Sequence, residues 1–200
     1  ASVLGLAWGN IKRAELERRQ AELTAELTAA REVQQVVMPA EYGRIGPAIY
    51  AAVSRPGVFV AGDLFDAAEL PGGRAALCLG DVAGHGAGSG MLMALTQSHL
   101  SAVLRSTGDP VAAVEAVNDY LCGYALSGRF VSLWVGVVEP DGLLRFVDAG
   151  HGYWFIRRSA GEGPARGEVV RGPDLGGIPV GVSADTRYGE GRINLSPGDR

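Results

Sequence analysis

Lysine occurs once in the 200 residues, at Lys12, against seventeen arginines. Its absence after residue 12 excludes a Walker A phosphate loop, a Schiff-base lysine and a lysine general base from the rest of the chain. Positive charge is short as well: 18 Lys plus Arg against 22 Asp plus Glu leave a net charge of −4. A nucleic-acid binder carries a basic patch, so that class is set aside. Cysteine is confined to Cys78, in an apolar run, and Cys122, in a helical one, with no metal-ligand spacing. Both read as buried free thiols in a reducing cytoplasm in preference to a disulfide. No run reaches the roughly 18 apolar residues that a bilayer span needs. The apolar opening ASVLGLAWGN, followed by Lys12, Arg13, Arg18 and Arg19, is either the stub of a membrane helix with a positive flank or a linker. A cytoplasmic protein is expected, membrane-bound only if an upstream segment anchors it.

What is present suits one domain with an appendage, long enough to bury a core without staples. Residues 10–37 contain neither Gly nor Pro and are rich in Ala, Glu, Arg and Leu, which predicts one continuous helix ended by Met38-Pro39. Leu16, Leu23, Ala30 and Val37 recur every seven residues, but Arg13, Gln20 and Gln34 interrupt the seam. The helix is therefore either a weak coiled coil, pairing two copies of the chain, or an amphipathic helix packed on its own domain. Residues 1–38 are assigned to this linker helix and 39–200 to the main domain.

From about Tyr42 short apolar runs alternate with Gly and Pro. PAIYAAV, VFVAGDLF, RAALCLGD, FVSLWVGVV, LLRFVDA and YWFIRR read as strands. Two helical stretches interrupt them, one starting in the glycines after His85, the other opening with Asp109 as N-cap and Pro110 at the first helical position. GEGPARGE, 161–168, reads as a polar hairpin loop. Strands in bulk with two consecutive helices indicate an α+β fold with antiparallel sheet.

Two strand-like runs meet acids: VFVAGDLFD, with Asp63 and Asp66, and RAALCLGDVAGHG, with Asp81 and His85. PGGR, 71–74, is a turn signal between them. A hairpin centred there sets Asp63 across from Asp81 or Val82, and Asp66 across from Leu79 or Cys78. Opposed like charges cost stability unless a divalent cation lies between them, and Mg²⁺ or Mn²⁺ prefer such oxygen ligands. The other reading is a pair of solvated loop-end acids. Gly84, Gly86, Gly88 and Gly90 suit either close approach of backbone to an ion or phosphate, or a tight strand-to-helix turn.

These residues carry a resemblance. Ala61-Gly62-Asp63-Leu64-Phe65-Asp66, GDVAGHG and Asp148-Ala149-Gly150-His151, with LGGIPVGV and SPGDR further on, are similar to the landmarks of SpoIIE-type, protein phosphatase 2C-like, metal-dependent serine/threonine phosphatases. The likeness covers roughly residues 28–200. It implies an αββα sandwich of two antiparallel sheets flanked by helices, with Asp63 and Asp81 holding two Mn²⁺ or Mg²⁺ ions. Asp81 would bridge both, the Val82 carbonyl would add a ligand, and Asp66 would contribute from outside or through water. The metals would lower the pKa of a shared water that attacks phosphorus in line. His85 would donate a proton to the departing oxygen, or else only hydrogen-bond backbone. Asp148 and His151 would fix a strand end. The implied substrate is phosphoserine or phosphothreonine on a partner-switching protein, an anti-sigma-factor antagonist, in bacterial signalling. Ala61 and Ala83 depart from the family's glycine and serine. The family also runs on after Pro-Gly-Asp into a Thr-Asp-Gly segment with a further metal ligand, whereas this sequence ends at Arg200. A domain truncated at its C-terminal end is expected.

Rival chemistries fit less well. AGDLF resembles a diguanylate cyclase signature but leaves GDVAGHG unexplained, and Gly86-Ala87-Gly88-Ser89-Gly90 has the wrong spacing for a serine hydrolase elbow. His85, His99 and His151 lack the paired spacing of a zinc site. The alternative from another class is a non-catalytic regulatory or scaffolding module that keeps the phosphatase fold and binds a partner.

Overall fold

The computed structural model describes residues 3–53, 62–84, 86–124, 128–159, 168–170 and 177–200. Its elements are helix α1 (Val3–Val37), strands β1 (Tyr42–Ile45), β2 (Ala48–Ala51), β3 (Asp63–Leu70) and β4 (Arg74–Val82), helices α2 (Ala87–Thr107) and α3 (Pro110–Gly123), then β5 (Val131–Val138), β6 (Leu143–Ala149), β7 (Ile156–Arg157), β8 (Val169–Val170) and β9 (Gly191–Asn194). The fold is α+β. A five-stranded antiparallel sheet in the order β3-β4-β5-β6-β9 forms its centre, and β1-β2 and β7-β8 form two ribbons.

Strand alternation divides the sheet into two faces. Leu64, Cys78, Val82, Leu133, Val135 and Val147 point to one face and pack with Leu92, Met93, Leu100, Val114 and Val117 of α2 and α3. On the other face Ala75, Trp134, Leu144, Phe146 and Ile156 form a second cluster, joined by Ile45 and Ala48 of the first ribbon. Trp154 meets Phe146 edge-on at 4.6 Å between centroids, a favoured aromatic geometry. The helices thus cover one face, and the ribbons cover part of the other.

The two central helices meet at a corner that the sequence makes predictable. Gly108, at φ 64°, ends α2 in the left-handed region, and its N–H bonds the Leu104 carbonyl. The Asp109 carboxylate then accepts from Val111 N at 2.9 Å and Ala112 N at 3.4 Å, capping α3 with Pro110 in the first turn. Arg145 of β6 ties this corner to the sheet: it donates to the Gly108 carbonyl and, from Nε, to Glu190 at 2.9 Å. Hydrogen bonding to Arg145 holds the Glu190 carboxyl below the usual carboxylate range.

The SPGDR segment is fixed by its acid. Asp199 accepts from Ser196 N, Ser159 N and the Arg158 guanidinium, and these bonds, the two backbone donors foremost, push its pKa down to about 2. Arg157 and Arg200 exchange backbone hydrogen bonds, so the segment lies along β7.

The differences from the sequence reading are local. Helix α1 begins at Val3, so Gly5 and Gly9 lie inside it. Their cost of about 1 kcal/mol each relative to Ala does not end a helix of 35 residues. Of VFVAGDLF, Asp63–Phe65 belong to strand β3, which Asp63 opens. YWFIRR supplies only two strand residues. Residues 54–61 and most of GEGPARGE lie outside the described residues. Among the described residues no helix is long and apolar enough to cross a membrane.

Candidate active site

The hairpin that brings the acids together closes through Pro71-Gly72-Gly73. Gly72 and Gly73 adopt φ of 82° and 71°, conformations that glycine reaches without a Cβ penalty. With the turn fixed, the ladder runs Leu70↔Arg74 to Asp63↔Asp81, so the two aspartates are direct cross-strand partners. Both are exposed and, among the described residues, neither carboxylate makes a hydrogen bond or an ion pair. Two negative charges therefore face each other uncompensated.

The glycine before each aspartate has a steric reason. A Cβ on Gly62 would lie 3.2 Å from the Val82 carbonyl oxygen and 3.4 Å from Asp81 Oδ1. Those two oxygens thus converge on one point beside Asp63, and the Val82 N–H donates back to the Gly62 carbonyl at 3.2 Å. A Cβ on Gly80 would lie 2.6 Å from Leu133 Cδ2 and 2.8 Å from the Ser132 carbonyl, so only glycine lets β4 and β5 approach there. Two carboxylates and one carbonyl form a donor set of hard oxygens, which fits Mg²⁺ or Mn²⁺ and not a thiophilic metal. Among the described residues no cluster of three or more His, Cys, Asp or Glu joins them.

Asp66 is brought elsewhere. Three residues from Asp63, it points to the opposite face, across from Cys78 and beneath α2. Burial raises its pKa, opposed by hydrogen bonds from Ala67 N and Gln97 and by the charge of Arg105. The same burial, with Asp66 adding its charge, raises the Cys78 thiol well above its ordinary value, so this thiol stays protonated. His85 lies outside the described residues.

Beyond the pair, Ser132 is the β5 partner of Asp81 on the far side of β4. Its hydroxyl lies 3.5 Å from the Asp81 carbonyl oxygen and 3.5 Å from His151 Nδ1. His151 stands in the turn after β6, and the Asp148 carboxylate holds that turn by accepting from His151 N at 2.8 Å, Gly152 N at 3.1 Å and Trp154 Nε1 at 3.0 Å. The family resemblance implies that Asp148 and His151 fix a strand end, and the bonds that do so are made by the Asp148 carboxylate. It does not mark Ser132, whose only sequence signal is a polar residue inside an apolar strand. Asp63, Asp81 and His151 all line one groove of about 1690 Å³, walled by Pro47–Val53, Trp134 and the 195–200 segment.

The family model described as Stage II sporulation protein E (SpoIIE) matches residues 71–200. The chain belongs to the SpoIIE family. Asp81, Val82, Ser132 and His151 fall within the SpoIIE match, while Asp63 and Asp66 precede it. Solved structures agree on a PP2C-type phosphatase fold. The SiaA-PP2C domain of Pseudomonas aeruginosa is similar at a TM-score of 0.65 and 17% identity, over 90% of this chain and 70% of that one. The PP2C phosphatase domain and regulatory fragment of SpoIIE from Bacillus subtilis gives a TM-score of 0.57 at 23% identity, over 72% of this chain. The match spans 39% of that SpoIIE chain, well under two thirds of its length. RsbX, described in complex with magnesium, gives a TM-score of 0.57 at 13% identity, over 74% of this chain and 67% of its own. No curated protein matches at a comparable level.

The opposed carboxylates give a sign that can be tested without metal. Replacing Asp81 by Asn, as D81N, removes the repulsion and is expected to stabilise the metal-free protein by about 0.2–1 kcal/mol in urea unfolding with chelator present. Lower stability in D81N would mean that the wild-type pair is already compensated.

Proposed function

We propose that the chain is the phosphatase domain of a bacterial signalling protein, hydrolysing phosphoserine or phosphothreonine on a protein partner. The observation that carries this reading is the direct Asp63↔Asp81 pairing with the Val82 carbonyl beside it. Asp63 and Asp81 would hold the Mg²⁺ or Mn²⁺ ions that such a phosphatase uses, with the Val82 carbonyl as a further ligand. Bound there, the cations supply the lowered water pKa and the charge neutralisation that in-line attack on a phosphate monoester requires. Gly62 keeps the space beside Asp81 open. His85, between Gly84 and Gly86 in the sequence, is assigned to donate the proton that the departing serine oxygen needs.

The size of the groove favours a protein substrate. At about 1690 Å³ it exceeds the roughly 300–1,000 Å³ typical of small-molecule sites, and its open apolar wall suits an extended peptide segment. The substrate class proposed is a small partner-switching protein of the anti-sigma-factor-antagonist kind, as the family resemblance implies. The expected result is Mn²⁺-dependent phosphate release from a phosphoserine protein, falling at least 100-fold in Asp63→Asn. Unchanged release in that variant would refute the assignment.

Helix α1 serves as the input. It packs against α2, whose N-terminus follows directly on the GDVAGHG loop, and it leaves Leu16 and Leu23, seven residues apart, exposed at 58% and 56%. We assign this strip to pairing with a second copy of the chain. Sedimentation is expected to give a dimer that dissociates when residues 1–30 are deleted, and a strict monomer for the intact chain at high concentration would remove α1 from the account.

The non-catalytic reading draws on one observation, that no third acidic side chain joins the pair among the described residues. The same phosphate-release measurement separates it from the enzyme.

A further inference from the structure

The geometry points to His151 as a substrate-contacting residue: its Nε2 shares a proton with a phosphoryl oxygen of the phosphate monoester, and Ser132 positions the ring. This deepens the phosphatase reading and rests on it.

The hydrogen bonds around Ser132 argue for a definite arrangement. The hydroxyl has one proton and two neighbours at 3.5 Å, the Asp81 carbonyl oxygen and His151 Nδ1. The carbonyl can only accept, so both contacts are satisfied together when Ser132 donates to Asp81 and accepts from Nδ1–H. A chain results in which each group donates once, running from the imidazole through the hydroxyl to the backbone of an aspartate in the opposed pair. That chain engages Nδ1 and leaves Nε2 without a protein partner among the described residues. The ring borders the groove that Asp63 and Asp81 also border.

The turn is built to hold the ring there. Asp148 takes the N–H groups of His151 and Gly152 and the Trp154 indole, and Trp154 is wedged against Trp134 and Phe146. Gly150, at φ 76°, packs so closely on Pro179 that a Cβ would come within 2.6 Å of its Cδ, and a bridge pairs it with Leu133, next to Ser132. Sheet and turn thus fix the backbone on both sides of the Ser132–His151 contact. An anchored turn accounts for Asp148 and Gly150; it gives no use to an imidazole nitrogen at the edge of the acidic groove. A phosphate oxygen does, because it takes a proton from imidazolium and also presents one to neutral imidazole when the phosphate is monoprotonated.

The test uses inorganic phosphate as the probe, with the chain loaded with diamagnetic Mg²⁺ and its histidines labelled with ¹⁵N. His151 signals are assigned by their loss in His151→Gln. Phosphate is expected to shift the His151 ring nitrogens and leave those of His99 in place. In turnover, His151→Ala is expected to raise KM and the phosphate inhibition constant together by about tenfold, equivalent to 1.4 kcal/mol, with kcat changing less than threefold. Ser132→Ala is expected to raise both less, and His151→Gln to restore part of the loss by presenting an amide. Ring signals unmoved at saturating phosphate overturn the inference, whatever the cation does. So does a His151→Ala protein that loses kcat and thermal stability while phosphate inhibits it as it does wild type, which is the signature of a purely structural turn. Failure of the phosphatase reading itself shows separately, as phosphate release that Asp63→Asn does not reduce.

Discussion

Two carboxylates held opposite each other on neighbouring strands are the constraint around which the rest of this domain is arranged. Asp63 and Asp81 share one rung of the β3–β4 ladder, and among the described residues no cationic side chain pairs with either. A fold does not keep such a pair for stability, since directly opposed like charges are mildly unfavourable. The surrounding sequence shows what maintains it. A glycine-rich three-residue loop sets the register, Gly62 leaves the carboxylate of Asp81 room, and Gly80 lets β5 close on the other side of β4. The buried face of the same hairpin, through Leu64, Cys78 and Val82, locks it onto α2 and α3. Repulsion at one end of the hairpin is thus offset by apolar burial along its length.

The rigid parts and the chemistry lie on opposite sides of one sheet. Helices α2 and α3 cover the face that carries most of the apolar core, and their corner is tied to β6 through Arg145 and the Gly108 carbonyl. The acids, Ser132 and the aromatic cluster of Trp134, Phe146 and Trp154 occupy the other face, whose groove is open. The element joining the two sides is the Asp81–Gly86 segment, which leaves β4 as strand and enters α2 as helix.

Much of this was legible in the sequence because the relevant contacts are local. PGGR fixes the hairpin centre, and from it the register follows to within a residue: Asp81 opposes Asp63 and Cys78 opposes Asp66. The Gly108–Asp109–Pro110 corner is legible for the same reason, since capping depends on neighbours in the chain. Asp66's outer or water-mediated part in the metal site was implied by the family resemblance, whereas the period of two puts a residue three steps from Asp63 on the other face. The Ser132–His151 contact was out of reach. It joins β5 to the turn after β6 through a bridge between Leu133 and Gly150, a tertiary pairing that no periodicity announces. The split of the second layer into two ribbons was equally hidden, because YWFIRR has strand composition yet pairs over only two residues.

The measurement closest to the central claim is a calorimetric Mn²⁺ titration of this chain and of Asp81→Asn, in parallel and free of other divalent ions. If the opposed acids form a metal site, the wild-type chain takes up Mn²⁺ with a resolvable heat, and in the variant that heat disappears. Equal binding in both proteins, or binding in neither, would contradict the assignment of Asp63 and Asp81 as a metal centre.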